Sequence, residues 1–169
     1  MDGLPEPAVD LRLRPERWPE DEVFLRRVFA STREEEFRAV GWPPAVLTAF
    51  LDQQFDAQRT HYRREYGASS FDVVTLDGEP VGRLYVDRAP ADLCVVDIAL
   101  LPTARGRGIG GRLMRALLDE AAAAGRAVIL HVETNNPAFG WYQRLGFLPQ
   151  GEPGVYQEMR WQPSQPKTA

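Results

Sequence analysis

Asp97-Ile98-Ala99-Leu100-Leu101-Pro102-Thr103-Ala104-Arg105-Gly106-Arg107-Gly108-Ile109-Gly110-Gly111 is the stretch on which the fold turns. An apolar run, read as a strand over 93–101, passes into a glycine-rich loop, and the loop passes into a helix over 108–124. In that helix Ile109, Leu113, Leu117 and Ala121 recur every fourth position, while Arg112, Arg115 and Asp119 mark the opposite face. A helix start presents unpaired N–H groups and a partial positive charge. Glycine lets the backbone close in on an anion, so Gly106, Gly108, Gly110 and Gly111 beside Arg105 and Arg107 predict a phosphate or pyrophosphate guest. The competing reading is that these glycines only permit a tight helix–strand junction.

Working outward, residues 9–14 alternate apolar and charged side chains and read as a first strand. Trp18-Pro19-Glu20-Asp21-Glu22 reads as a helix start, with Phe24, Leu25, Val28 and Phe29 on its apolar face. Gly41-Trp42-Pro43-Pro44 breaks the chain. A second helix over 45–66 follows, with Leu47, Leu51, Phe55 and Tyr62 on one stripe and Gly67 as its stop. Strands over 71–76 and 81–86 flank Asp77-Gly78, a hairpin signal because both turn positions need positive φ. Beyond the glycine-rich unit come a short buried strand over 128–132 and a helix opened by Asn136-Pro137. That helix ends near Leu145 with Gly146 as its cap, and a closing hairpin takes in 147–148 and 155–161. The order predicts one mixed α/β domain over 1–161, with 162–169 as a disordered polar tail.

The chain has 169 residues, 44% hydrophobic and 26% charged, which suits one soluble domain. No apolar run reaches bilayer length. The acidic, proline-containing start does not read as a secretory signal, so a cytoplasmic location is expected. A single cysteine, Cys94, excludes an intramolecular disulfide, and with His61 and His131 as the two histidines no metal site is expected. The net charge is −4, yet Arg105, Arg107, Arg112, Arg115 and Arg126 gather in one short segment against Asp119 and Glu120. That pattern suits a local anion site in an acidic protein, and it equally suits a solvated helix face. The acidic remainder argues against nucleic acid as a partner and mildly favours a cationic one.

Gly106, Gly108 and Gly111 satisfy the dinucleotide pattern G-x-G-x-x-G, with Glu133 further on. The context disagrees. Four residues, Pro102 to Arg105, separate the strand from the first glycine, and too little chain follows to build the second half of such a sheet. No Gly-Lys-Ser/Thr follows the loop, which excludes a nucleotide P-loop.

The loop Arg105-Gly106-Arg107-Gly108-Ile109-Gly110 instead resembles the Arg/Gln-x-x-Gly-x-Gly/Ala signature of the GNAT superfamily of acyl-CoA-dependent N-acyltransferases. A second block, Asn135-Asn136-Pro137-Ala138-Phe139-Gly140-Trp141-Tyr142-Gln143-Arg144-Leu145-Gly146-Phe147, lies at the distance that family uses. The resemblance covers roughly residues 70–160 well, while the first helices match only in arrangement. It implies an α/β (α+β) fold: a mixed, mostly antiparallel sheet of about seven strands flanked by about four helices.

It also implies an acetyl-CoA-dependent N-acetyltransferase that acts directly, through a ternary complex. The backbone of residues 105–110, with Gly111 behind it, would hold the CoA pyrophosphate. The strand before the loop would splay near Ala99, Leu100 and Leu101, pairing its edge with the pantetheine arm, and the N–H near Leu100 would face the thioester oxyanion. Asn135 would pair with pantetheine polar groups or cap the helix. Tyr142 would be the general acid, since a phenol of pKa about 10 can donate to a thiolate whose conjugate acid lies near 8–9. Asp97 and Glu133 are the alternative bases for the incoming amine, or else plain strand-end carboxylates. Cys94, in an apolar strand, reads as a buried thiol rather than a nucleophile.

Gln54, Gln58 and His61 share one face of the second helix and are the expected acceptor-pocket contacts. Glu34-Glu35-Glu36 would attract a cation, and solvated faces explain both groups equally well. A non-catalytic acetyl-CoA sensor is the alternative function, against which Tyr142 speaks, because binding alone needs no acid at sulfur. The protein is expected to be a monomer or a homodimer, the latter by family resemblance through its C-terminal strands.

Overall fold

The computed structural model describes residues 9–88 and 91–164. Part of the expected tail, 165–169, lies outside the described residues. The elements are β1 (Leu11–Pro15), α1 (Glu22–Arg38), α2 (Pro44–Glu65), β2 (Ser70–Leu76), β3 (Glu79–Asp87) and β4 (Leu93–Leu100). A 3₁₀ turn (Pro102–Ala104) leads to α3 (Ile109–Ala123), β5 (Val128–Glu133), α4 (Ala138–Arg144), β6 (Leu148–Gln150) and β7 (Tyr156–Trp161). The strands form one seven-stranded sheet in the order β1-β2-β3-β4-β5-β7-β6. Among the described residues only β4 and β5 run parallel. This is the mixed, mostly antiparallel architecture expected.

The sheet is covered on both faces. On one, Ile109, Leu113, Met114, Leu117, Leu118 and Ala121 of α3 bury against Val74, Leu84, Val86, Leu93, Val128 and Leu130. On the other, Leu25 and Phe29 of α1 and Leu51 and Phe55 of α2 close over Val73. The β2–β3 turn carries positive φ at Asp77 (51°) and Gly78 (84°), the turn that lets two right-twisted strands meet. Just before α1, Arg14 grips Asp21 through two hydrogen bonds of 2.7 Å, and the Arg17 N–H adds a third.

The functional geometry arises in β4. Tyr85 of β3 opposes Asp97 while Val86 opposes Val95, so Val96 is an extra, bulged residue. A bulge bends its strand and increases the local twist. On its other side β4 pairs with β5 at only three positions, ending at Val95 and Leu130. The two strands therefore part from Val96 onward, three residues before the splay near Ala99 that the family resemblance implied.

Candidate active site

Two clefts open where β4 and β5 separate. The first, of about 590 Å³, is lined by Ile98, Ala99 and Leu100 of β4, Gly106 and Gly108 of the loop, and the first turn of α3. The second, of about 470 Å³, is lined by Asp97, Gln58 and Tyr62 of α2, Arg83, and Glu133 of β5, among others. Thr32, Ile98, Ala99, Asn136 and Tyr142 line both, so the clefts meet there. Tyr142 is 8% exposed and stands at that junction.

The loop adopts the conformation its glycines permit. Gly106 and Gly108 have φ of 71° and 74°, and Gly108 is the residue immediately before α3. Both values lie in the left-handed region that side chains avoid. The α3 N-terminus at Ile109, Gly110 and Gly111 faces the first cleft, with its N–H groups beyond reach of intrahelical partners.

Arg105 does something different from what charge counting implies. Its Nε donates to the Leu100 carbonyl at 2.9 Å, and its Nη2 donates to the Ser31 carbonyl and Oγ at 3.3 and 3.2 Å. The side chain thus staples the loop to the end of β4 and to α1. Arg107 is exposed and lines neither cleft. Leu101 also turns away: its N–H bonds to Val81, and its side chain is buried with Val28 and Ala99. By the alternation of an antiparallel ladder, the main-chain groups of Leu100 then face the open edge.

Asn135 lines only the second cleft, whereas Asn136 lines both and its Oδ1 accepts the Ala138 N–H at 2.8 Å. The side chain that turns the chain into α4 is therefore that of Asn136, not Asn135. Glu133 accepts a hydrogen bond from the Tyr156 hydroxyl at 3.3 Å. Of the three α2 residues expected at the acceptor end, only Gln58 lines the cleft; Gln54 and His61 are exposed. The inward-facing stripe runs Leu51, Phe55, Gln58, Tyr62, a 4-3-4 spacing that leaves Gln54 and His61 to one side of it. Glu36 lines the second cleft and Glu35 the first.

A buried polar network under the second cleft escaped the sequence reading. Arg83, 3% exposed, donates Nη2 to Asp97 Oδ2 at 2.5 Å and to Gln58 Oε1 at 2.8 Å. The Tyr62 hydroxyl reaches the same Asp97 oxygen at 3.5 Å. Beside it Tyr85 donates to Glu16 at 2.7 Å, and Glu16 also holds Arg59 and Arg63. Burial, then the Asp97 charge, push the Tyr62 and Tyr142 phenols well above the ordinary tyrosine value. Both stay protonated at neutral pH. Burial pushes the Cys94 thiol up to about 11, which keeps it in the unreactive form. Among the described residues no cluster of histidine, cysteine or carboxylate side chains suits a metal ion, and no helix is long and apolar enough to cross a membrane.

Comparison with known proteins places this geometry. The model of the acetyltransferase (GNAT) family matches residues 25–147. The N-alpha-acetyltransferase RimI of Mycobacterium tuberculosis is 35% identical over 111 residues, a match spanning 63% of this chain but only 61% of that protein's length. Among solved structures, the PaiA N-acetyltransferase of Thermoplasma acidophilum, in complex with coenzyme A, superposes with a TM-score of 0.68 at 14% identity, covering 92% of this chain and 99% of that one. The ribosomal-protein-S18-alanine N-acetyltransferase of Escherichia coli gives 0.63 at 14% identity, covering 95% and 99%. At such identities these two likenesses speak for the fold.

Proposed function

The chain belongs to the GNAT family of acetyltransferases, and on that premise we propose that it transfers the acetyl group of acetyl-CoA directly to an amine. The observation that carries this reading is the meeting of the two clefts at Tyr142. A glycine-lined, helix-capped cleft suits a pyrophosphate, and an open strand edge suits the extended pantetheine arm. The adjoining cleft, with Glu36, Asp97 and Glu133 on its walls, suits an amine that arrives as an ammonium ion.

In this reading the backbone of the loop and of the first turn of α3 binds the pyrophosphate, and Arg105 holds the loop in register by its bond to Leu100. Asn135 and Asn136 border the approach to the thioester, and the Leu100 N–H faces its carbonyl oxygen. The ammonium ion first gives one proton to the base, its nitrogen then bonds to the carbonyl carbon, and as the carbon–sulfur bond breaks the nitrogen gives up a second proton. Tyr142 donates a proton to the departing sulfur; its raised pKa keeps the donor form present across the working range. Glu133 is the better base of the two carboxylates, because Asp97 Oδ2 already accepts from Arg83 and Tyr62. Cys94, buried and held as the thiol, forms no acyl intermediate.

The test is thiol release on mixing the protein with acetyl-CoA and a panel of small alkylamines and peptides with free N-termini. Acetylated product identified by mass spectrometry is the expected result. Tight acetyl-CoA binding with no transfer to any amine would leave a sensor in its place.

A further inference from the structure

Arg83 lies outside everything assigned so far, and its position is costly. It is a guanidinium at 3% exposure in the middle of β3, on the face covered by α1 and α2. Its Nε is buried with no hydrogen-bond partner among the described residues. Burying a charge is expensive even when paired, and an apolar side chain of similar volume often serves stability as well or better. An orphaned donor adds to that cost. Packing alone does not account for an arginine here.

What the side chain does is hold two walls of the second cleft in one relation. A single nitrogen, Nη2, donates both to Gln58 on α2 and to Asp97 on β4. Asp97 is the first residue after the bulge at Val96, where β4 has left β5 and the ladder no longer fixes it on that side. Its side chain is 15% exposed and lines the cleft, and the Tyr62 hydroxyl leans on the same oxygen. The Tyr62 ring packs edge-on against Tyr85, whose own hydroxyl is anchored on Glu16. With Arg83 removed, Gln58 loses this hydrogen bond and Asp97 loses its short one, keeping the longer contact from Tyr62.

Resting on the acetyltransfer reading above, we propose that Arg83 is a positioning residue for the acceptor: it fixes Asp97, Gln58 and Tyr62 as the wall against which the incoming N–H donor is aligned. Arg83, on the floor of the cleft and 3% exposed, acts through these three side chains.

The experiment compares the wild-type chain with Arg83→Lys, Arg83→Met and the charge-neutral double variant Arg83→Met/Asp97→Asn. Acetyl-CoA affinity, the KM of the best amine of the panel, kcat and thermal stability are measured for each. Arg83→Met leaves the part-buried Asp97 without its cation and is expected to lose stability; the double variant removes both charges and recovers it. The acceptor KM is expected to rise about tenfold in Arg83→Met, the scale of one lost charge-assisted hydrogen bond, and to stay raised in the stable double variant. Arg83→Lys, which supplies a point charge without the fork, should fall between. Acetyl-CoA affinity should hold throughout. A double variant with wild-type acceptor KM, or constants for both substrates that move only with stability, overturns the positioning role. Absence of turnover by the wild-type chain on every amine overturns the transfer reading and this inference with it.

Discussion

Gly82 of β3 stands so close to β4 that a Cβ built on it would lie 2.4 Å from the Ala99 carbonyl oxygen and 2.6 Å from Leu100 Cδ2. The nearer obstruction, the Ala99 carbonyl, is backbone, which cannot swing aside. Gly82→Ala must therefore push the end of β4 outward, just where it borders the first cleft. A stability loss of about 2 kcal/mol is expected from overpacking, together with acetyl-CoA affinity reduced at least about tenfold, read by denaturant melts and by titration.

Tyr142→Phe keeps the ring packing against Trp141 and Phe147 and removes only the proton donor. Expected are unchanged acetyl-CoA affinity and a kcat lowered about 100-fold. Because the phenol is raised, wild-type kcat should show no alkaline decline from this group below about pH 10. Retained kcat in the variant would remove Tyr142 from the acid role.

Arg105→Met cuts the staple between loop, Leu100 and Ser31. The loop then samples other conformations before binding. We expect KM for acetyl-CoA to rise about tenfold, while KM for the amine stays put. Steady-state kinetics with each substrate varied in turn separates the two.

Asp21 is held below the ordinary aspartate value by its hydrogen bonds from Arg14, against an opposing effect of burial. A carboxylate depressed in the folded state adds stability that is complete above its unfolded pKa near about 3.9 and disappears as pH falls through the folded value. Asp21→Asn should therefore cost about 2 kcal/mol at pH 7. The gap to the wild-type chain should close below about pH 4, measured by urea melts across pH.

Cys94 is 7% exposed and its thiol is raised to about 11. Iodoacetamide at pH 7.5 should leave it unmodified in the folded protein and alkylate it in denaturant, as intact mass would report.

The elements legible in the sequence are those whose signal is local. The α3 stripe of Ile109, Leu113, Leu117 and Ala121 is buried as its spacing demands, and the Asp77–Gly78 turn has the two positive φ values the hairpin requires. The glycine loop and its junction with α3 were equally visible. Arg83 was not, because a charged residue between Gly82 and Leu84 reads as the solvent side of an alternating strand. Here α2 covers that side, and only the tertiary arrangement turns it into an interior position. Tyr62 was assigned to the apolar stripe correctly, but its hydroxyl gains a role only when Asp97 arrives from a strand 35 residues away. Asn135 and Asn136 illustrate a smaller limit, since adjacent identical residues leave the capping position open until the helix start is seen.

The bulge at Val96 and the three-pair contact of β4 with β5 leave a main-chain edge in the interior of the sheet rather than at its rim. The protein so built is an unfinished ladder, and on the acetyl-transfer reading the extended arm of the donor is the rung that completes it. Such an occupant adds to the stability of the chain by an amount that grows with the logarithm of its concentration. Starved of it, the same polypeptide is expected to open more often and to be cut faster by added protease.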